Sequence, residues 1–318
     1  MDGVLVIDKP CGPTSHDVVA RVRRATGWQK VGHTGTLDPM ATGVLVLVVG
    51  RATRLAQFLS ATDKVYEADV RLGWATDTYD AWGRRIDTKD VTSERPPFEG
   101  PTSEVRMSAG QSVAWPPAEQ LERLLERFRG THVQTAPIFS AKKTDGVRAY
   151  ALARDGKAVQ QKACAVTVHE LSCIGQDGDC LRLRIACSAG FYVRSFAHEL
   201  GLLAGPGAHL SALRRTRSGD FDLASAVPLG AIEREGTSAA ARLTPIDALL
   251  PSLPVVAVNE RGAARARHGN DLRREDLVSP FVVQRGDRVR IIDESGALLA
   301  VAEGSEGPGV LHPAVVVG

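Results

Sequence analysis

The chain has no run of about 18 consecutive apolar residues, so no membrane-spanning helix is expected. Its five cysteines, Cys11, Cys164, Cys173, Cys180 and Cys187, are an odd number without a Cys-x-x-Cys pair. That excludes a disulfide framework and the common zinc spacings, and it implies reduced thiols in a cytoplasm. The start, Met1-Asp2-Gly3-Val4-Leu5, carries no basic segment or cleavage-like site, so no secretory leader is expected. Charge excess is nearly absent: 39 Lys and Arg against 37 Asp and Glu leave a formal +2, too little to argue for a polyanionic partner by itself. What remains is 318 residues, 43% hydrophobic and 24% charged, which suits a soluble globular protein with room for two domains and a large core.

The charge is unevenly spread. Residues 1–60 hold seven Lys or Arg against four Asp and no Glu, and a second basic cluster, Arg214-Arg215-Thr216-Arg217, follows Gly207-Ala208-His209-Leu210. A basic face balanced by acidic ones elsewhere lets a near-neutral protein bind a polyanion, so phosphate contacts are expected from residues 21–30 and 214–217.

One loop concentrates turn chemistry around a single acid: Gly32-His33-Thr34-Gly35-Thr36-Leu37-Asp38-Pro39-Met40-Ala41-Thr42-Gly43, directly before the apolar run Val44–Val49. Glycines at 32, 35 and 43 permit positive φ and close backbone approach. Pro39 biases Asp38 away from helical geometry. The loop lacks the Gly-Lys-Ser/Thr ending of a P-loop and the Gly-x-Gly-x-x-Gly spacing of a dinucleotide fold. His33 and Asp38 have no nearby His, Cys or Glu with which to hold a metal. Asp38 is therefore a candidate for catalysis, set against the ordinary role of a turn aspartate capping a backbone N–H.

Along the chain, Gly3–Asp8 reads as a strand, and Thr14 caps a helix with Val18, Val19 and Val22 on its apolar stripe and Gly27 at its end. Val44–Val49 reads as a buried strand followed by a helix through Leu55, Phe58 and Leu59. Lys64–Gly73 alternates, with Tyr66, Ala68, Val70 and Leu72 on one face. A stretch about 90–117 is proline-rich without period and reads as a surface insertion. Leu121, Leu124, Leu125 and Phe128 recur at helical spacing up to Gly130. Leu181, Leu183, Ile185 and Cys187 alternate as a strand that leads into a helix through Phe196, Leu200 and Leu203. Strands and helices mix without a βαβ repeat, so the expected class is α+β. After Pro251 and Pro254 come short strand-like runs, Val255–Val258, Arg288–Asp293, Leu298–Ala302 and Ala314–Val317, with a hairpin turn at Glu294-Ser295-Gly296. They suggest a small all-β domain, 251–318, after a first domain, 1–250.

Several separate blocks together resemble the TruB-type tRNA pseudouridine synthases. They are Gly3-Val4-Leu5-Val6-Ile7-Asp8-Lys9-Pro10; the Gly32–Leu45 loop; Lys64-Val65-Tyr66 with Leu72-Gly73 and Thr76-Asp77-Thr78-Tyr79-Asp80-Ala81-Trp82-Gly83; Pro137-Ile138-Phe139-Ser140-Ala141-Lys142-Lys143; Cys187-Ser188-Ala189-Gly190-Phe191-Tyr192-Val193-Arg194; and Gly207–Arg215. The resemblance covers residues 1 to about 225 apart from the segment near 90–117. Val289-Arg290-Ile291-Ile292-Asp293 and Leu311-His312-Pro313 are similar to a PUA-type RNA-binding domain. The fold implied is a catalytic domain whose mixed, mainly antiparallel sheet is flanked by helices, plus a small C-terminal PUA-like barrel.

The activity implied is isomerisation of uridine to pseudouridine at position 55 in the T-arm loop of tRNA. The N1–C1′ bond breaks, the uracil turns, and C5 bonds to C1′, with no net redox change and no cofactor or metal required. Asp38 matches the family's catalytic aspartate. A lone carboxylate can attack C1′, add to the base or remove a sugar proton, and all three remain open to it. Tyr66 matches a stacking tyrosine for a base flipped out of its loop, Tyr192 a second pocket aromatic, Leu213 a pocket wall and His33 a histidine supporting the flipped geometry. Arg194 matches the arginine that pairs with the aspartate, so an Asp38–Arg194 contact is expected. Lys9 is structural or a phosphate contact.

The expected partner is the tRNA T-arm stem-loop, bound by a cytoplasmic monomer without an obligate protein partner. A binding-only RNA protein is the first alternative. A guide-dependent relative usually has extended basic tails, whereas this chain ends in Val315-Val316-Val317-Gly318. A glycoside hydrolase normally needs two opposed carboxylates, and near Asp38 the sequence offers Asp17 and, by fold, an arginine.

Overall fold

The computed structural model of the chain describes residues 1–86, 114–137, 143–144, 147–148, 163–282, 284–305 and 309–318. They gather into two compact units: Met1–Leu37 with Leu45–Ala61 and Ala224–Gly318, and Asp38–Val44 with Thr62–Leu223.

The first unit begins with β1 (Gly3–Lys9), whose unbroken run Val4–Ile7 is buried on both faces, as a central strand requires. Lys9 ends it with a buried side chain whose Nζ donates to the Pro10 carbonyl at 2.9 Å, which makes it structural. Helix α1 (Ser15–Thr26) starts at a capping box. Thr14 Oγ1 accepts from the Asp17 N–H while the Asp17 carboxylate accepts from the Thr14 N–H, and Gly27 closes the helix at φ 74°. β2 (Val31–His33) pairs antiparallel with β3 (Thr42–Val49), Val31 opposite Val49. β1 neighbours β3 and carries Val227–Pro228 in parallel on its other edge.

The second unit is built on β4 (Lys64–Leu72), whose Tyr66, Ala68, Val70 and Leu72 are buried while Glu67 and Arg71 are exposed. That alternation is the sequence signal of a strand with one covered face. After α2 (Ala118–Glu126) come β5 (Gly130–Thr135), β6 (Ala163–Asp177) and β7 (Cys180–Cys187), then α3 (Val193–Ala204) and β8 (Ala208–Ser218). The order β8-β4-β7-β6-β5 is antiparallel at every step, and Thr42 and Gly43 of β3 pair in parallel with Arg214 and Arg215 of β8. Phe128, just past α2, meets Phe196 of α3 edge-on at 4.9 Å. The α+β class and the mixed, mainly antiparallel sheet are those expected. Most of the proline-rich segment about 90–117 lies outside the described residues. At its end Trp115 is buried and donates Nε1 to the Asp179 carbonyl at 2.9 Å.

The first unit resumes with α4 (Leu229–Glu235), which packs on α1 through a two-pronged Arg21–Glu233 ion pair of 2.7 and 2.9 Å. Then follow β9 (Val255–Ala257), α5 (Glu260–Arg267), β10 (Arg288–Ile292), β11 (Leu298–Gly304) and β12 (Leu311–Val316). The hairpin turn before β11 is where expected, with the Gly296 N–H donating to the Asp293 carbonyl at 2.9 Å. Two corrections apply to the small all-β barrel. Among the described residues its four strands form an open sheet, β9-β10-β11-β12, with β9 parallel to β10. It also includes α5, buried through Gly262, Ala263 and Ala266 and capped by Asn259. A stripe made of alanine and glycine has too little hydrophobicity to stand out as a period in the sequence.

Candidate active site

Asp38 leaves its loop through a tight turn, closed by the Ala41 N–H donating to the Asp38 carbonyl at 3.0 Å, before Thr42 opens β3. Of the three loop glycines only Gly43 has positive φ, at 98°. A Cβ there would stand 2.2 Å from the Arg215 carbonyl oxygen, so glycine is what lets this stretch lie against β8. Arg215 in turn donates Nε to the Val44 carbonyl at 2.7 Å.

Arg194 sits in the first turn of α3, and the start of that helix is fixed by β5. Gln134 grips the Tyr192 peptide from both sides: its amide oxygen accepts from the Tyr192 N–H at 2.7 Å and its amide N–H donates to the Tyr192 carbonyl at 3.1 Å. Ser195 Oγ donates to the Thr135 carbonyl at 2.9 Å. So held, Arg194 donates Nε to Asp38 Oδ2 at 2.8 Å and Nη2 to Asp38 Oδ1 at 3.1 Å, the fork geometry that fixes a carboxylate plane. The expected pair is therefore present. The Arg194 side chain is 6% exposed and that of Asp38 32%, so the cation is interior and the acid faces outward, open to a reactant.

Asp80 is a site residue that the reading of single positions missed. Its Oδ2 lies 3.8 Å from Arg194 Nε, and Arg194 Nη1 donates to the Thr78 carbonyl at 3.0 Å. The other carboxylate oxygen accepts from Thr78 Oγ1 at 2.7 Å and from the Trp82 N–H at 3.0 Å. With both oxygens engaged and the side chain 10% exposed, Asp80 anchors Arg194 and is no opposed acid of the glycosidase kind. The signal lay in Thr76–Gly83, whose Asp-Ala-Trp-Gly is aspartate-led turn chemistry. Between the two anchors, Tyr79 takes φ 65° and stacks its ring on His198 at 3.9 Å.

Tyr66 lies on the covered face of β4, opposite Ile185 of β7 and Arg215 of β8, with Leu213 two residues along opposite Ala68. Burial pushes its phenol up against the pull of the Arg215 guanidinium, so it stays protonated. Tyr192 is half-buried at the start of α3. His33 lies on β2 in the first unit, opposite Leu47, its ring edge-on to His16 at 5.1 Å. The basic clusters need correction. Arg215 is 2% exposed and turned inward, because alternation along β8 sends it to the covered face, so it is not available for the phosphate contact expected of this cluster. In the first cluster Arg21 is engaged by Glu233 and Arg23 by the Val31 carbonyl, and Arg23, Arg24 and Lys30 are exposed. Among the described residues no group of three or more His, Cys, Asp or Glu is placed to hold a metal ion.

Lys64, next along the same face, is buried opposite Cys187 and donates Nζ to the Thr62 carbonyl. Burial, and then the Arg215 charge, push it down to about 8, while burial pushes the Cys187 thiol up to about 12. Below about pH 8 Lys64 is charged whether folded or unfolded. Between about 8 and its ordinary 10.5 only the unfolded chain keeps the proton, so this group's contribution to stability rises with pH. Cys187 acts oppositely from its ordinary 9.0 up to about 12, where only the unfolded thiol ionises. From about pH 7 to 9, wild type should therefore gain on the order of 1 kcal/mol relative to Lys64→Met, read from urea midpoints. A pH-independent difference would contradict the burial of a titrating Lys64.

Two family models match. The N-terminal domain model of the TruB family of pseudouridylate synthases covers residues 23–100 and 101–193, and the tRNA pseudouridylate synthase B C-terminal domain model covers 194–251. Among curated relatives, the tRNA pseudouridine synthase B of Solibacter usitatus (strain Ellin6076) is 45% identical over 100% of both chains. That of Burkholderia mallei (strain NCTC 10247) is 40% identical over 98% of this chain and 96% of its own. Among solved structures, a chain of a Cbf5-Nop10-Gar1 complex superposes with a TM-score of 0.71 at 25% identity, covering 99% of this chain and 85% of that one. A chain of an H/ACA ribonucleoprotein bound to a substrate RNA shares the fold, with a TM-score of 0.70 at 24% identity.

Proposed function

Because the chain belongs to the TruB family of pseudouridylate synthases, we propose that it isomerises uridine to pseudouridine in the T-arm loop of tRNA, at position 55, with Asp38 as its single catalytic acid. The observation that carries the reading is the outward-facing Asp38 carboxylate gripped by a buried Arg194. The reaction breaks N1–C1′ and forms C5–C1′; the proton leaving C5 is balanced by one gained at N1, and no electrons are exchanged with a cofactor. The carboxylate serves by attack on C1′, addition to the base or removal of a sugar proton. In each role Arg194 holds its plane and supplies the counter-charge without itself moving. A uridine stacked in a loop must be extruded first, and Tyr66, Tyr192 and Leu213 are the groups we assign to receive it, with His33 supporting the opened RNA.

We assign residues 1–250 to catalysis and 251–318 to a PUA-like RNA-binding module; the two family matches run in succession from residue 23 to 251. The enzyme in this reading is a cytoplasmic monomer whose macromolecular partner is tRNA. An unmodified tRNA transcript incubated with the protein, treated with carbodiimide and reverse-transcribed should give a stop at the T-loop uridine. Binding of the transcript without any such stop would make the chain an RNA-binding protein instead.

A further inference from the structure

Trp82 is a large aromatic in a place where nothing about folding calls for one. It occupies the third position of the turn Asp80–Gly83, closed by the Gly83 N–H donating to the Asp80 carbonyl at 3.2 Å. Turn tips favour small polar residues, yet here an indole stands 59% exposed. Among the described residues no aromatic ring packs on it, whereas Trp74 nearby in sequence is covered by His209 at 5.0 Å and by the Arg85 guanidinium at 5.4 Å. The turn itself is rigid: a Cβ on Gly83 would come within 2.3 Å of Thr78 Oγ1, and the Arg84 N–H donates to Asp77 Oδ1 at 2.8 Å.

The same turn is wired to the reacting carboxylate. The Trp82 N–H donates to Asp80 Oδ1, Asp80 Oδ2 faces Arg194 Nε, and Arg194 grips Asp38. The turn that carries the exposed indole is therefore tied, through Asp80 and Arg194, to the cluster that holds Asp38. The next residues, Arg84 and Arg85, are exposed cations, so the approach to the indole suits a polyanion. An exposed indole on a turn that runs into exposed arginines combines the two elements that hold single-stranded nucleotides: every base offers a π-face to an aromatic ring, and cations track the phosphates.

We propose that Trp82 is a stacking platform for an unpaired nucleotide of the substrate RNA, next to the one that reacts. This rests on the reading that the site modifies an RNA loop. It assigns to this turn a binding role separate from the flipped-base pocket at Tyr66.

The test uses the full chain with Trp82→Ala and Trp82→Phe, assayed on an unmodified T-arm stem-loop. Trp82→Ala should raise KM about five-fold or more, the weaker end of the range for base–aromatic stacking, with kcat and Tm unchanged. Trp82→Phe should restore most of the affinity. An abasic residue at one unpaired loop position should remove the penalty of Trp82→Ala and so name the stacked nucleotide. An unchanged KM with activity intact overturns the proposal and leaves the isomerase reading standing. A fall in kcat or Tm without a KM effect makes Trp82 structural and overturns it as well. A dimer seen by sedimentation and dissolved by Trp82→Ala overturns it in favour of a contact between copies. Wild type inactive on the stem-loop overturns the isomerase reading itself, and the proposal with it.

Discussion

Asp38→Asn should lower kcat at least about a thousand-fold while stem-loop affinity stays within about three-fold of wild type. The substitution keeps the shape of the side chain and removes its ability to attack carbon or take a proton. It also turns an N–H₂ toward a guanidinium that donates from both Nε and Nη2, so the fork loses one of its two acceptors. Because the Asp38 carboxylate faces outward, the pocket surface seen by RNA changes little. The measurement is single-turnover conversion of a labelled transcript beside its binding curve. A variant that retains a tenth of the rate would remove Asp38 from the chemistry and return it to the ordinary role of a loop acid.

Arg194→Met should cost about 3–5 kcal/mol of stability, and it should lower kcat as well. The methionine fills similar space but strands Asp80, an acid whose side chain is 10% exposed, without its cation, and it leaves the Thr78 carbonyl without its donor. Removing one partner of a buried ionic cluster is costly because the remaining charge stays out of water. Arg194→Lys separates charge from geometry. A single ammonium restores part of the stability by supplying the charge, yet cannot make three directed bonds to Asp38 and Thr78, so its kcat should stay depressed. Thermal unfolding and turnover on the same samples decide. If Arg194→Met melts like wild type, the cluster does not support the fold.

Legibility in the sequence followed physical scale. Periods carried by large side chains were visible: the alternation of β4 and β7, the continuous run of β1, and the Thr14–Asp17 cap and Gly27 stop of α1. Helix α5 was not, because its buried stripe is Gly262, Ala263 and Ala266. Asp38 and Arg194 were paired in advance only through the family resemblance, since no local pattern joins residues from a loop and a distant helix. Asp80 carries no signal of a site role in the sequence, because a turn aspartate normally satisfies its own backbone, whereas this one also faces an arginine brought from α3. Arg215 shows the reverse error. A run of arginines reads as a surface, but β8 alternates and buries one of them against the Val44 carbonyl.

The Asp38–Arg194 pair also bears on when the enzyme comes into being. Its two members are 156 residues apart, so the pair closes a very long loop and depends on contacts of high sequence separation. A nascent chain emerging from the ribosome exposes Asp38 early and carries it as an ordinary solvated acid until β5 and α3 have been made and docked. On the proposed role of Asp38, catalytic competence waits until residue 194 has been made and docked. In refolding, recovery of turnover should lag behind recovery of helix and strand signal.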